Sequence, residues 1–589
     1  MSARVKEFAI WVPAAKTVSI VLDDASFPMN LEKEGWWRIA LPQKQKEVRY
    51  RFSIDDGAPI PDPRSPWQPD GVHGASCILP ETQSTVTKSL FRARPLPEAV
   101  IYELHVGTFT PEGTYTALSE KLPYLCDLGV THIELMPLAT FPGKWGWGYD
   151  GVSLYAPHPA YGTPADLKKF IQDAHDHKIA VILDVVYNHL GPDGNYLPQC
   201  GPYFTDRWKT PWGDALNFDG ANSGEIRNFF FENAIMWLRD YEFDGLRLDA
   251  IHAISDTSAV HFLEELMSEI TQFCARDERE IFVVAESDLN DPRVVRDPSV
   301  GGYGVNAHWI DDFHHALHAC FTEEKEGYYS DFGKLSQVAK ALKQGYVYDG
   351  EFSSFRKRRH GRAPLGVSPV QLVVFSQNHD QIGNRAFGER LSMLVDLPKL
   401  KAIAALTLLS PFIPMLFQGE EWGANTPFLY FTNHPDKKLG KLVTKGRREE
   451  FSTFNWKDAK IPDPQSEETF KSSKLQWNET EDENHHELLQ WYKMLIRLRQ
   501  TPKMLNQSAD VVFDEKQRWL TFKNGRILVL LNLKEKAQKV PIPPGDWKVE
   551  MSSVKGVLSL QEPLPALCTA ICSKNDTAKT NPNREALIL

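Results

Sequence analysis

The sequence predicts an α/β protein: a TIM-type (β/α)8 barrel flanked by an N-terminal β-sandwich and a C-terminal β-sandwich. Three observations carry that expectation. Eight short apolar runs alternate with helical stretches through the middle of the chain, a β-rich segment precedes them, and another follows. At 589 residues the chain exceeds one ordinary domain and suffices for two or three.

From the N-terminus, "FAIWVP" and "TVSIVL" read as strands. Val48, Tyr50, Phe52 and Ile54 alternate with Arg49, Arg51 and Ser53, so one face is apolar, and "DDG" at 55–57 supplies a turn. Residues 1–90 are therefore expected to form a small sandwich of the carbohydrate-binding-module kind, and "APIPDPRSPWQPDG" reads as an ordered Pro-rich connector. The barrel is expected over 91–505. Its strands read as "VIYELHV" (100–106), "THIELMP" (131–137), "IAVILDVVYNH" (179–189), "DGLRLDA" (244–250), "IFVVAES" (281–287), "VNAHWID" (305–311), "QLVVFSQNHD" (371–380) and "PMLFQGEE" (414–421). Strands separated by helices pair in parallel, and eight such units close a barrel. A long stretch between the sixth and seventh holds "EGYYSDFG" and "GEFSSFRKRRHGRAP". The amphipathic run "HHELLQWYKMLIRLRQ" (485–500) is expected to close the barrel as a helix. In 506–575, Asn524–Gly525 between two apolar runs signals a hairpin, and 576–589 reads as a polar tail.

Composition narrows the function. With 42% hydrophobic and 24% charged residues the chain reads as a soluble globular protein. A formal net charge of -11 would repel nucleic acid and anionic membrane surfaces, so neither is expected as a partner. No run of about 18 apolar residues suggests a membrane span. The opening "MSARVKEFAIWVP" has no long apolar segment, so no signal peptide is expected. Seven scattered Cys suggest free thiols in a reducing compartment, the cytoplasm. Cys568 and Cys572 lack a nearby Cys or His to complete a metal set.

Active sites of parallel barrels lie at the C-terminal ends of the strands. Four predicted strands end there in polar residues: Asp184, Asn188 and His189; Arg247 and Asp249; Glu286; and Asn378, His379 and Asp380. Arg247 and Asp249 are two residues apart, so a strand points both the same way. A lone acid at a strand end is usually a cap or a surface ion pair, but four strands here deliver such groups to one rim. Two carboxyls flanking a bond are what glycoside hydrolysis needs, one as acid and one as nucleophile or base.

"DVVYNH", "DGLRLDA", "VVAES" and "QNHD" resemble, in order, the four short regions that mark the α-amylase family of glycoside hydrolases. "WGYDGVSLYAPHPAYG" (147–162) is similar to that family's loop after its second strand. The resemblance implies Asp249 as nucleophile, Glu286 as acid/base and Asp380 as transition-state stabiliser. Arg247 would orient the nucleophile, His189 and His379 would bind sugar hydroxyls, and Tyr149 would stack beneath the sugar. Asp184 and Asn188 would be structural, tying the third strand and its loop. Many relatives place calcium near the position of Asn188. Here no dense Asp/Asn loop or EF-hand pattern follows, so no metal and no cofactor is expected.

"YFTDRWKTPWGDALNFDG", "FDGLRLDAIHAI", "NHDQIGNRAFGERL" and "FLYFTNH" resemble those members that cleave the α-1,4 bond next to the terminal trehalose of maltooligosyl trehalose, an α-glucan. Branching or debranching of glucan is the alternative. Aromatic faces and a guanidinium suit glucose rings and hydroxyls, so trehalose is expected to meet Trp208 and Trp212 after the third strand and Tyr328, Phe355 and Arg356 before the seventh. A merely solvated basic loop around "FRKRRHGR" is the competing reading.

Overall fold

The computed structural model describes residues 4–574 apart from 24, 44–46, 79–90, 451–460, 503, 506–507 and 558. The polar tail expected at 576–589 lies outside the described residues.

The N-terminal strands form two antiparallel sheets. One runs Arg4–Trp11, Trp36–Gln43, Asn30–Leu31; the other runs Ala25–Pro28, Val18–Leu22, Val48–Ile54, Ser76–Ile78. The alternation read in 48–54 has the physical result it implies: Tyr50 and Phe52 are buried while Arg49 is exposed. The turn after it holds Asp55 and Asp56 at φ 48° and 57°, a region that short polar side chains tolerate.

Eight parallel strands close the barrel: β1 Ile101–Leu104, β2 His132–Leu135, β3 Ala180–Val185, β4 Gly245–Leu248, β5 Phe282–Ala285, β6 Ala307–Trp309, β7 Leu372–Phe375 and β8 Ile413–Phe417. Each lies within one residue of, or inside, the run expected for it. Every strand residue is buried, which is why these segments read as short apolar runs rather than half-polar strands. The interior is filled by Ile101, Ile182, Phe282, Val284, Trp309, Phe375 and Met415, among others. One alternation further along β1 to β4, the same face carries Glu103, Glu134, Asp184 and Arg247. The apolar plug therefore gives way to a charged layer just below the C-terminal rim.

The helix expected at 485–500 is Glu483–Arg499, and its Trp491 Nε1 donates to the Lys401 carbonyl of the neighbouring helix Leu397–Leu408 at 3.0 Å. The C-terminal region is β as expected. Among the described residues it is one antiparallel sheet of five strands, in the order Ala509–Asp514, Trp519–Asn524, Ile527–Asn532, Cys568–Lys574, Trp547–Ser552. Ile527 to Asn532 are all buried, so both faces of this sheet are covered. Phe522, Val529 and Ile571 join the barrel's core, while Leu528, Leu530 and Cys572 pack under loop residues Val540 and Leu564. The second layer of the expected C-terminal sandwich is thus the barrel on one side and loops on the other. The Asn524–Gly525 hairpin forms, with Gly525 at φ 60° where a side chain would be strained.

Candidate active site

Arg247, at 1% exposure, organises the rim. Its Nη1 donates to Asp184 Oδ2 at 2.7 Å and to Asp249 Oδ1 at 2.8 Å. Its Nη2 lies 3.6 Å from Glu286 Oε2. The guanidinium carbon sits 4.3 Å from the Trp309 ring centroid, a cation–π contact from the end of β6. Burial opposes its charge, but Asp184, Tyr149, Asp249 and Glu286 outweigh burial and hold it well above its ordinary value. One planar cation thus joins the carboxyls delivered by β3, β4 and β5, a geometry that a lysine's single ammonium could not reproduce.

The two carboxyls at the ends of β4 and β5 have different surroundings. Asp249 accepts from Arg247 on one oxygen and from Asn188 Nδ2 on the other, at 2.7 Å. Both oxygens are therefore held by donors. Glu286 accepts a 2.6 Å hydrogen bond from the backbone N–H of Ala250, and its side chain is 12% exposed. Ala250 adopts φ 38°, ψ 51°, a left-handed conformation that costs energy for a residue with a Cβ and that places its N–H against the acid. Burial pushes the Glu286 carboxyl well above its ordinary value; Arg247 offsets this in part, and Asp249, Asp311 and Asp380 add repulsion. The pair can do two jobs, because two donors hold the oxygens of Asp249 while burial favours the protonated form of Glu286.

The rest of the rim comes from β7 and the loop after β2. His379 Nδ1 bonds to Glu103 Oε1, and its backbone N–H donates to Glu103 Oε2 at 3.0 Å. Burial opposes protonation of the ring, but Glu103 prevails and raises its pKa. Tyr149 lies against His379 with centroids 5.2 Å apart and planes at 22°. Its hydroxyl donates to Asp184 at 2.6 Å and lies 2.8 Å from His379 Nε2. Asp380 is the second residue of the helix His379–Gly383, and its side chain is 49% exposed. Its Oδ1 accepts from Asn384 Nδ2 at 3.1 Å.

Residues 3–68 match the Carbohydrate-binding module 48 family (Isoamylase N-terminal domain), and 74–207 match the alpha amylase catalytic domain. A malto-oligosyltrehalose trehalohydrolase of Rhizobium sp. (strain M-11) is 44% identical, over 96% of this chain and 97% of its own. One from Saccharolobus solfataricus is 44% identical, over 89% of this chain and 90% of its own. The chain belongs to the malto-oligosyltrehalose trehalohydrolase family. A crystal structure of a Salmonella typhimurium chain described as an α-amylase superposes with a TM-score of 0.88 at 36% identity, covering 98% of both chains.

Around this family's rim the other residues singled out from sequence fall into two groups. His189 Nδ1 bonds to Asn188, its ring lies flat against Trp212 at 4.5 Å and 11°, and burial lowers its pKa. Trp212, 49% exposed, lines a groove of about 510 Å³ with His189, Phe204 and Asp214. Trp208 does not reach His189 as Trp212 does; it lies under the Arg207 guanidinium, 4.9 Å away, on the hairpin Phe204–Thr210/Gly213–Leu216. Across the rim, Tyr328 packs on His315 at 4.9 Å. Burial pushes its phenol up to about 12, with the charge of Asp380 adding to the rise. Phe355 is 44% exposed in the turn of the hairpin Asp349–Ser353/Arg358–Gly361. Arg356 is not a free solvated cation. Its Nη2 donates to Asp288 at 3.0 Å, two residues past Glu286, and it sits 5.3 Å over the Tyr348 ring.

Asn188 does more than tie a loop, because it donates to both the backbone carbonyl and the carboxylate of Asp249. Sequence reasoning missed Glu103, Trp309, Asp311 and Asp288. Glu103 had a signal: it alternates with Ile101 on a buried strand. Asp311, at the end of β6, is pushed up to about 7, by burial first and then by Asp380. Among the described residues no group of three or more His, Cys, Asp or Glu side chains is arranged to hold a metal ion, and no helix is long and apolar enough to cross a membrane.

Proposed function

We propose that this chain is a retaining glycoside hydrolase that cleaves the α-1,4-glucosidic bond next to the terminal trehalose of maltooligosyl trehalose and releases trehalose. The observation that carries the chemistry is the Arg247 guanidinium shared between Asp249 and Glu286, with Asp249 held by two donors and Glu286 raised by burial. Asp249 attacks the sugar carbon while Glu286 gives its proton to the leaving oxygen. Glu286, now anionic, then takes a proton from the water that opens the glycosyl-enzyme intermediate. Asp380, beside the pair in an open position, stabilises the positive charge on the ring. His189, His379 and Tyr149 hold the sugar being cleaved.

The substrate assignment rests on the near full-length likeness to the trehalohydrolases. The exposed Trp212 and Phe355 offer aromatic faces on opposite sides of the rim, and Phe355, with Tyr328 and Arg356 near it, is assigned to the trehalose end. The product makes the reaction a step of trehalose supply, and seven unpaired cysteines support a reducing, cytoplasmic location.

Purified chain is incubated with maltooligosyl trehalose and, separately, with amylose. Release of free trehalose and a shortened maltooligosaccharide supports the assignment. New α-1,6 branches in amylose without trehalose release would replace it with a branching reaction on the same three acids.

A further inference from the structure

The helix Lys437–Glu450, in the segment after β8, sends one side chain back to the rim. Arg447 Nη1 donates to Asn384 Oδ1 at 3.0 Å, and Nη2 donates to the Gly383 carbonyl. Asn384 Nδ2 in turn donates to Asp380 Oδ1 at 3.1 Å. Two segments of the chain thus form one line from a distant helix to a rim carboxylate.

Two physical facts give this line a direction. A guanidinium only donates, so it selects the carbonyl end of the Asn384 amide and turns the amino end toward Asp380. The second contact falls on the last residue of the five-residue helix whose first turn carries Asp380, where a carbonyl without a helical partner favours a cation. That helix is also pressed from the other side: a Cβ on Gly383 would meet Trp147 Cζ2 at 2.0 Å. Trp147 packs edge-on to Tyr430 at 5.1 Å, and the Arg447 guanidinium lies 5.1 Å from the Tyr430 ring centroid. The far helix is itself anchored, because Thr444 Oγ1 donates to Asp463 at 2.8 Å and Asp436 Oδ1 accepts from the Lys438 N–H at 2.7 Å.

We infer that Arg447 is a positioning residue for Asp380, fixing the Asn384 amide and the helix end that together aim the carboxylate at the reacting sugar. This rests on the role given to Asp380 above. Asp380 is the most exposed of the three proposed catalytic carboxyls; Asn384 donates a hydrogen bond to its Oδ1, and His379 Nε2 lies farther off at 3.8 Å from the same oxygen.

The test is steady-state hydrolysis of maltooligosyl trehalose by the full chain carrying Arg447→Ala, Arg447→Lys, Asn384→Ala, the Arg447→Ala/Asn384→Ala pair, or Asp380→Asn. Arg447→Ala should lower kcat about 10- to 100-fold with KM within about twofold, the size expected for loss of a hydrogen bond to a charged group felt in the transition state. Arg447→Lys should recover part of kcat, since an ammonium can serve one of the two acceptors. Adding Arg447→Ala to Asn384→Ala should cost less than the single change does in the native background, because the two act in series. Unchanged kcat in Arg447→Ala, a loss confined to KM, or multiplicative losses in the pair would overturn the inference. If Arg447→Ala fails to fold, the Lys variant carries the same comparison: native kcat overturns the inference, and a lowered kcat at native KM sustains it. Asp380→Asn separates the premise: native kcat there defeats the role of Asp380 itself, whereas a dead Asp380→Asn beside a native Arg447→Ala defeats the positioning role alone.

Discussion

Replacing Arg247 by Met removes the cation and keeps most of the bulk. Asp184 and Asp249 both accept from the same nitrogen, at 2.7 and 2.8 Å, so their oxygens lie no more than about 5.5 Å apart. At an effective dielectric of about 20, two unit charges about 5 Å apart repel by roughly 3 kcal/mol, or about two pKa units on whichever carboxyl yields first. Burial already pushes Asp184 up to about 6 with the guanidinium present. Without it the pair should hold a shared proton at neutral pH, and Asp249 spends less time as the free anion that attacks. The acid limb of kcat/KM on maltooligosyl trehalose should move up by about two pH units, and kcat at pH 7 should fall roughly 10-fold. Stability should drop by about 3–5 kcal/mol, the cost of stranding buried charge. The assay is kcat/KM against pH for the native chain and the variant, with thermal unfolding run in parallel. A uniform loss of activity with an unmoved acid limb would refute the electrostatic role and leave Arg247 a spacer.

Three further outcomes follow from the same geometry. Glu286→Gln should abolish the alkaline limb of the kcat profile, since the native limb is the loss of the proton that burial retains on Glu286, and kcat should fall about 100-fold or more. A retained limb would move the acid role elsewhere. Phe355→Ala should lose more activity on maltooligosyl trehalose than on plain maltooligosaccharides; equal losses on both would remove this loop from trehalose recognition. Glu421, fully buried and accepting from the Tyr102 and Tyr124 hydroxyls, is pushed up to about 7 by burial. A raised carboxyl stabilises the fold at pH values below its unfolded pKa, and that contribution is lost as pH rises through the folded one. Glu421→Gln should therefore flatten the fall in Tm between about pH 4.5 and 7, an effect on the order of 3 kcal/mol in stability. An unchanged slope would mean that Glu421 is already ionised in the fold.

The barrel was legible because each strand is buried on both faces, so it appears as a short apolar run ending in the polar residues of the rim. The spacing of Arg247 and Asp249 showed that they share a face, and the ends of β3, β5 and β7 supplied the other carboxyls. Contacts made across the barrel left no local trace. Nothing near His379 announces that Glu103 from β1 holds its ring, and nothing near Arg247 announces Trp309 beneath it. Arg356 sits in a run of basic residues that reads as solvated, and only the fold brings Asp288 to it. Trp208 and Trp212 are four residues apart on one hairpin, yet only Trp212 reaches His189; turn geometry decides that, and composition carries no sign of it.

In the proposed mechanism Asp249 forms the bond to the sugar. A fluorosugar that reacts to form a slowly hydrolysed glycosyl-enzyme tests it most directly, with proteolysis and mass spectrometry of the trapped protein to locate the label. The label should fall on Asp249, and proton NMR of the product should show the substrate's anomeric configuration retained. A label on Glu286 or Asp380, or a product of inverted configuration, would contradict it.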